Sequence, residues 1–235
     1  MRPAAGWLDA LPTDRLLAEF SLWSADLGRL ADEMARVDRH VDLYHIDVAD
    51  GRFSPALLFF PDLTAVVRKL TTKPLHVHLM TSDDILLAQI EQFASAGADL
   101  VTVHVENRNA DAALALIDRL GVPSGLVLQL ETPIAALAPF LDRVRFVTLL
   151  GARIGIKGQG LDDDAPSRLR AARALIARES RQRRVILAAD GGIREHTVQE
   201  LRRAGAETIV MGSLAFNADD LAKRMAWVHA QTTGA

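Results

Sequence analysis

The sequence contains no cysteine in its 235 residues. Without thiols there can be no disulfide bond, no thiolate metal site and no cysteine nucleophile. The absence of cysteine fits a cytoplasmic protein, and we expect that location. A bound metal would have to rely on histidine and carboxylate side chains, of which there are 7 His and 30 Asp and Glu residues.

An excess of charge and a long apolar run are also missing. The 27 Lys and Arg residues nearly balance the 30 Asp and Glu residues, which leaves a formal net charge of −3. Such a balance provides no electrostatic reason to expect nucleic-acid binding. No run of about 18 apolar residues occurs, so we expect no transmembrane helix and no membrane association. The first residues include Asp9 and Asp14 and lack an apolar block, so we expect no secretory signal.

What is present is an alternation of short apolar runs and longer amphipathic segments. Eight runs rich in Val, Ile and Leu are candidate strands: Glu19–Ser24, Leu43–Val48, Leu75–Met80, Leu100–Val105, Gly125–Leu130, Arg145–Leu150, Val185–Asp190 and Thr208–Ser213. The segments between them predict helices at Leu27–Val37, Asp83–Ala96, Ala110–Leu120, Pro166–Glu179, Arg194–Ala204 and Ala218–Ala230. The spacing averages about 25 residues per strand–helix unit, as a βα repeat requires.

Eight such units with nearly continuous apolar strands predict an α/β fold, a closed parallel (β/α)8 or TIM barrel. An open doubly wound sheet is the alternative, but it would usually contain fewer strands. No linker rich in Pro, Gly or Ser divides the chain, so we expect a single barrel domain over residues 17–235. Residues 1–16 would be an N-terminal extension, whose Trp7, Leu8 and Leu11 can pack on the barrel bottom or on a partner.

Polar side chains lie at the carboxyl ends of four candidate strands, where a barrel gathers its active site. Ser24 ends the first candidate, and His78 lies near the end of the third. His45 and Asp47 are two residues apart, so both point to one face of the second strand. Asp190 ends the seventh strand. Two imidazoles and two carboxylates would then meet in one pocket and form a set of four ligands for a divalent metal.

Each of these residues also has a plain structural interpretation. A single histidine on a strand is more often a packed, hydrogen-bonded residue than a ligand, and an Asp at a strand end often caps the next helix. Their convergence on one face of a barrel is what favours a metal site. Zn²⁺ is the first choice of ion, and Fe²⁺, Co²⁺ and Mn²⁺ are compatible with the same donors.

Two glycine-containing pairs follow the last two strands. Gly191-Gly192 and Gly212-Ser213 stand where barrels commonly bind phosphate through backbone N–H groups and a helix N-terminus. Glycines also serve ordinary turns, but the position of these pairs after strands seven and eight favours a phosphate site. We therefore expect all four residues at the substrate.

Five segments together resemble the ribulose-phosphate 3-epimerase family. They are Ser21–Asp26, His45–Gly51, His78–Met80, Asp190–Gly192 and Gly212–Ser213, in the family's order and spacing between about residues 17 and 216. The resemblance implies a (β/α)8 barrel in which one catalytic metal is bound by four residues. Those residues are His45, Asp47, His78 and Asp190. It also implies that Ser24 and His78 contact the substrate and that Met80 lines the site beside the reacting carbons.

The implied reaction inverts a carbon next to a ketone and interconverts D-ribulose 5-phosphate and D-xylulose 5-phosphate. A proton leaves one face and another returns on the opposite face, through an enediolate whose charge the metal stabilises. Asp47 and Asp190 come from different sides of the barrel mouth and would act as the acid and the base. A phosphorylated ketose is thus the expected substrate. A homo-oligomer is expected from the resemblance alone.

The loop after the sixth strand departs from the family. The family usually has Asn where this chain has Arg153 and Gly where it has Lys157, whereas Gly155 and Gly158 keep the pattern. Because the loop covers the substrate in the family, we expect Gly155, Lys157 and Gly158 at the substrate. We hypothesise that Arg153 or Lys157 contacts the phosphate or a terminal hydroxyl. A solvated cation on a mobile loop is the alternative.

Three other functions stay open at this point. The altered loop and Ala49, which replaces a methionine of the family, would suit another ketose phosphate, such as D-allulose 6-phosphate or a shorter one. A decarboxylase on the same phosphate-binding barrel would carry Asp-x-Lys-x-x-Asp, and the stretch His45–Asp50 lacks the lysine. A barrel that only binds a sugar phosphate would have no need of two imidazoles and two carboxylates together.

Three further polar residues lie near the expected ligands. His76 shares a strand face with His78, and we interpret it as an inner barrel residue rather than a partner of the ligands. His104 and Glu106 resemble a Thr-x-His-x-Glu segment of the family, which suggests a supporting role.

Overall fold

Eight parallel strands close into a barrel in the computed structural model, which describes residues 2–180 and 183–233. The strands are β1 Leu17–Ser21, β2 Leu43–Ala49, β3 Leu75–Met80, β4 Leu100–His104, β5 Ser124–Leu128, β6 Phe146–Leu150, β7 Ile186–Asp190 and β8 Thr208–Met211. Each strand pairs in parallel with the next one, and β8 pairs with β1. The predicted single-domain (β/α)8 barrel is confirmed.

Helices follow the strands along the chain. They are α1 Leu30–Val37, α2 Pro61–Leu70, α3 Asp83–Ala96, α4 Ala110–Arg119, α5 Ala165–Glu179, α6 Glu195–Arg203, α7 Ser213–Phe216 and α8 Leu221–His229. The helix α2 is missing from the sequence predictions, although Pro61 at its first turn is a helix start signal. After β5 a 3-10 segment, Ile134–Phe140, takes the place of an α-helix and contains Pro139. None of the helices in the described residues is long and apolar enough to cross a membrane.

The residues before β1 cover the amino ends of the strands. Leu8 is buried there, and Trp7 and Leu11 pack beside it. The same cluster contains the first residues of four strands: Leu43, Leu100, Phe146 and Ile186. The sequence allowed the extension to pack on the barrel bottom or on a partner. In the structure it packs on the barrel bottom. A division into an extension of residues 1–16 and a domain of residues 17–235 stays a prediction.

Two predicted site residues lie just beyond the strands rather than within them. The strand β1 ends at Ser21, and Ser24 lies in the 3-10 turn Leu22–Ser24. The strand β8 ends at Met211, and Ser213 begins α7. The predicted strands Glu19–Ser24 and Thr208–Ser213 are therefore wrong at their ends, because an apolar run does not reveal where strand pairing stops.

A buried ion pair joins α2 to the residue before β4. Arg68 Nη1 donates to Asp99 Oδ2 at 2.5 Å, and their side chains are 8% and 4% exposed. Arg68 Nη2 donates to the carbonyl oxygens of Thr71 and Lys73 at 2.6 and 2.8 Å. Since Asp99→Ala would leave a buried guanidinium without its counter-charge, we expect it to lower the free energy of unfolding by about 3–5 kcal/mol. Urea denaturation measures this loss.

The matched control for that variant is Asp84→Ala. Asp84 pairs with Arg52 at 2.6 Å, but the two side chains are 57% and 66% exposed. Solvent-exposed pairs contribute little because water screens them, so the denaturation midpoint should hardly move. An equal loss of stability in the two variants would contradict the importance that we give to burial.

Candidate active site

Four side chains that can hold a metal ion meet at the carboxyl ends of β2, β3 and β7. His45 and Asp47 belong to β2, His78 belongs to β3, and Asp190 is the last residue of β7. The strand register places Asp47 opposite His78. One ligand atom from each of the four side chains lies within 4.8 Å of the others. We call this set the four-ligand group; it contains all the residues that the sequence suggested for a metal.

The potential ligand atoms face one another across short gaps. His45 Nε2 lies 3.2 Å from Asp47 Oδ1 and 3.8 Å from Asp190 Oδ2. His78 Nδ1 lies 3.6 Å from Asp47 Oδ1 and 3.7 Å from Asp190 Oδ2. Both ring nitrogens are buried and neither makes a hydrogen bond. Since buried polar atoms normally have a partner, two unpartnered nitrogens beside two carboxylate oxygens fit a divalent cation.

The two carboxylates of the group differ in their affinity for a proton. Burial raises the pKa of Asp190 to about 6, against the opposing attraction of His45. Burial acts in the same direction on Asp47, but His45 and His78 outweigh it and hold the pKa of Asp47 well below its usual range. Burial lowers the pKa of His45, but Asp47 and Glu19 outweigh it and raise that pKa well above its usual value. Two carboxylates with separated pKa values are typical of an acid and base pair.

A cavity of about 260 Å³ lies against the four-ligand group. Asp47 and Asp190 form part of its wall, whereas His45 is fully buried behind them. Every residue that the sequence suggested for substrate binding lines the cavity: Ser24, His78, Met80, Gly155, Lys157, Gly158, Gly191, Gly192, Gly212 and Ser213. Ala49 is buried opposite Met80 in the strand register and is not part of the cavity wall. Contact of these residues with a substrate stays a prediction.

Glycines let the loops after β7 and β8 approach their neighbours closely. Gly191 and Gly192 have φ angles of +89° and +69°, in the left-handed region that favours glycine. A Cβ atom on Gly192 would lie 2.5 Å from Leu161 Cα, and one on Gly212 would lie 2.5 Å from Ser24 Oγ. The glycines therefore let these loops pack against Leu161 and Ser24, and as cavity residues without side chains they suit the approach of a phosphate group to backbone N–H donors.

The loop after β6 crosses the cavity and contacts the turn after β1. Lys157 Nζ donates to the carbonyl oxygen of Trp23 at 2.6 Å and lies 5.6 Å from the centre of the Trp23 ring. Gly155 has a φ angle of +69°, and a Cβ atom there would overlap Ser54 Oγ. The loop after β6 thus contacts the loops after β1 and β2. We call the contact between Lys157 and Trp23 the tie across the cavity; Lys157 is also a candidate substrate contact.

Sequence reasoning does not single out two polar side chains of β1. Ser21 Oγ donates to Asp47 Oδ2 at 2.8 Å, and Glu19 Oε2 lies 3.1 Å from His45 Nδ1. Glu19 and Ser21 are two residues apart, so both point to the same face of the strand. A buried carboxylate within an otherwise apolar strand was the signal that could have identified Glu19.

His104 and Glu106 reach the site through His78. His104 Nε2 lies 2.9 Å from His78 Nε2, and His104 Nδ1 lies 3.0 Å from Glu106 Oε2. Burial lowers the pKa of His104 to about 4, so its ring is neutral. A neutral His104 that donates its Nδ1–H to Glu106 can accept the Nε2–H of His78, which leaves His78 Nδ1 free to bind a metal. This contact is a structural basis for the supporting role expected of the pair.

Comparisons with known proteins agree with this geometry. A family model described as "Ribulose-phosphate 3 epimerase family" matches residues 17–216. Ribulose-phosphate 3-epimerase 2 of Cupriavidus necator is 37% identical over 204 residues, which are 85% of this chain and 84% of that protein. The ribulose-phosphate 3-epimerase of Synechocystis is 34% identical over 212 residues, which are 88% of this chain and 90% of that protein.

Solved structures share the fold at lower identity. The 3-hexulose-6-phosphate synthase from Salmonella typhimurium is 18% identical with a TM-score of 0.65, and the match covers 91% of this chain and 96% of that one. An orotidine 5'-phosphate decarboxylase from Pyrococcus horikoshii is 17% identical with a TM-score of 0.61, covering 93% and 100%. At these identities the likeness extends to the barrel alone. Asp47 stands where the decarboxylase pattern considered above requires a lysine.

Proposed function

Because this chain belongs to the ribulose-phosphate 3-epimerase family, we propose that it interconverts D-ribulose 5-phosphate and D-xylulose 5-phosphate with the help of a bound metal. The chain is an epimerase, an isomerase of phosphorylated sugars. The observation that carries the mechanistic part of the proposal is the four-ligand group, since its two carboxylates also line the cavity.

A divalent cation would be held by one atom from each member of the group. The atoms are His45 Nε2, His78 Nδ1 and one carboxylate oxygen each of Asp47 and Asp190. The mixed nitrogen and oxygen donor set suits Zn²⁺ first, and Fe²⁺, Co²⁺ and Mn²⁺ as well. When bound, such an ion supplies Lewis-acid stabilisation of the negative charge on an enediolate.

Asp47 and Asp190 would move the protons at carbon 3 of the sugar. They belong to β2 and β7, which are separated by β1 and β8 in the closed barrel, so they can approach the carbon from opposite sides. One carboxylate takes a proton from one face and the other returns a proton to the opposite face. The two roles exchange in the reverse reaction. Ser21 Oγ holds Asp47 Oδ2 and so orients that carboxylate.

The phosphate would lie against the loops after β7 and β8. Bare backbone at Gly191, Gly192 and Gly212, together with Ser213, supports this position because N–H groups there can approach the phosphate oxygens. Four further cavity residues would contact the rest of the sugar: Ser24, Met80, Gly155 and Gly158.

The decisive experiment follows the proton at carbon 3 in D₂O by NMR, with and without a chelator. Ribulose 5-phosphate is compared with allulose 6-phosphate and a shorter ketose phosphate. Exchange with inversion that is fastest for ribulose 5-phosphate, lost on chelation and restored by metal, is the expected result. Faster exchange with another sugar would shift the proposal to that substrate, and no exchange with any of them would refute epimerisation here.

Another ketose phosphate is the second candidate, and the tie between Lys157 and Trp23 is the observation that favours it. The two side chains close part of the cavity with bulky groups. Side chains that narrow the cavity in this way would favour sugars of one chain length. The same panel of substrates measures this preference.

Lys157→Met tests the part that this tie plays in binding. We expect KM for the preferred sugar to rise about 10–100-fold with kcat almost unchanged, because a charged hydrogen bond to the substrate is worth about 1.5–3 kcal/mol. Steady-state kinetics measure both constants. The matched control is Lys223→Met. The backbone N–H of Lys223 donates to Asp220 Oδ1, and a methionine there keeps this bond. If Lys157→Met has the KM of the wild type, Lys157 does not contribute to substrate binding.

A homo-oligomer and a cytoplasmic location stay predictions. Exposed apolar side chains at Leu57, Phe60 and Leu70 support self-association. Light scattering after size-exclusion chromatography measures the mass of the assembly.

A further inference from the structure

A polar layer lies buried beneath the four-ligand group. Glu19 and His76 are completely inaccessible to solvent, as is His45. Glu19 Oε2 lies 3.1 Å from His45 Nδ1 and 2.5 Å from His76 Nδ1. Glu19 lies on β1, His45 on β2 and His76 on β3. The Glu19 carboxylate therefore connects the histidines of the two strands that follow β1.

The donors and acceptors of this layer determine which ring atoms carry protons. Glu19 Oε2 lies within hydrogen-bond distance of two ring nitrogens, and Glu19 Oε1 accepts from Thr208 Oγ1. A carboxylate oxygen that faces two imidazole nitrogens accepts from both of them, so Nδ1 of His45 and Nδ1 of His76 are the donors. The same assignment lets His76 Nε2 accept from Thr102 Oγ1 at 2.9 Å. With this assignment, each of these three contacts has one donor and one acceptor.

The orientation of His45 follows from this bond. With Nδ1–H directed at Glu19, the other ring nitrogen, Nε2, faces Asp47 Oδ1 and Asp190 Oδ2. A flipped ring would leave Glu19 without one of its donors in a site that water does not reach. The carboxylate therefore selects the ring orientation that the four-ligand group requires.

We propose that Glu19 is a positioning residue for the metal site, which acts through His45 by accepting its Nδ1–H and directing Nε2 at the cation. This inference rests on the metal site of the proposed function. A carboxylate behind a metal-binding imidazole fixes its tautomer and increases its basicity, and loss of such a partner typically lowers metal affinity about 10–100-fold. His76 and Thr208 hold the carboxylate in place, since Thr208 Oγ1 donates to Glu19 Oε1 at 3.3 Å.

The test measures Co²⁺ affinity by competition with a chelating dye for the wild type, Glu19→Gln and Glu19→Met. Glu19→Met keeps the length of the side chain and removes the acceptor, so we expect affinity to fall about 10–100-fold. Glu19→Gln keeps an oxygen that can accept from His45, so it should lie between the wild type and Glu19→Met. The cobalt absorption bands report the geometry of the bound ion independently of turnover.

Thr148→Val is the matched control for a change inside the barrel. Thr148 is also fully buried, but its Oγ1 makes no hydrogen bond. We expect this variant to bind Co²⁺ as the wild type does. Wild-type affinity in Glu19→Met, or an equal loss in Thr148→Val, would overturn the positioning role.

A measurement on the unmutated protein covers the case in which the Glu19 variants do not fold. In the Zn²⁺-loaded protein labelled with ¹⁵N-histidine, NMR should find His45 with a proton on Nδ1 and metal on Nε2. The opposite assignment would overturn the inference while leaving the metal site intact. A wild-type protein that takes up no metal at all would instead refute the metal site of the proposed function, and this inference with it.

Discussion

Asp190→Asn and Asp47→Asn are each expected to lower kcat for epimerisation by about 10²–10⁴-fold, the usual contribution of a general acid or base. An amide cannot take up or release the proton at carbon 3. Both side chains line the cavity, and Asn preserves their size. Turnover is measured at saturating metal, starting from each epimer in turn, and the metal content of each variant is determined on the same sample.

The two variants are also expected to differ from each other in proton exchange. Since each carboxylate serves one face of the sugar, each variant should release the carbon-3 proton of one epimer to solvent without inverting it. The epimer that exchanges should be the opposite one in the other variant. An identical pattern in both variants would show that the carboxylates do not serve opposite faces.

Asp26→Asn is the matched control for these substitutions. Asp26 follows the turn after β1, and its Oδ1 accepts from the backbone N–H of Gly28. An Asn side chain can accept the same bond, so kcat should stay at the wild-type value.

Removal of the metal by a chelator is expected to lower kcat by at least about 10³-fold, and Zn²⁺ or Co²⁺ should restore it. Lewis-acid stabilisation of an oxyanion is worth several kcal/mol, and about 1.4 kcal/mol corresponds to a factor of ten in rate. Removal would also leave Asp190 buried beside Asp47 without a cation, and burial raises the pKa of Asp190 to about 6 in the metal-free site. Metal content and turnover are measured together during the titration.

Mg²⁺ is the control ion for this experiment. It prefers oxygen ligands in octahedral geometry, whereas two of the four donors here are ring nitrogens. Mg²⁺ alone should therefore fail to restore turnover. The Zn²⁺-loaded protein should also unfold at a higher temperature than the metal-free protein, because the ligands converge only in the folded chain. Full turnover without metal would contradict the role assigned to the four-ligand group.

The positions of the strands and of the four potential ligands were predictable because both depend on local patterns. Apolar runs of about six residues mark buried parallel strands, and a period of two places His45 and Asp47 on one face. The carboxyl ends of barrel strands meet at one mouth whatever the rest of the sequence is. Residues at three such ends therefore had to come together.

Strand ends and the missing helix were harder to predict. Leu22 and Trp23 extend the apolar run of β1 as far as Ser24, but the chain has already turned into a 3-10 helix at Leu22. The helix α2 begins at Pro61 after a loop in which Leu57 and Phe60 are exposed, so apolar periodicity does not indicate its start. These boundaries depend on where strand pairing and capping bonds stop, which is a property of the assembled sheet.

By itself, the sequence determined the repeating strand–helix order, the barrel and the residue types gathered at its mouth. Only the tertiary structure decided that Glu19 contacts both His45 and His76, that Leu8 closes the barrel bottom and that Lys157 reaches Trp23. The physical reason is that periodicity tells which side chains face the interior, whereas the tilt and stagger of the closed strands set which of them touch.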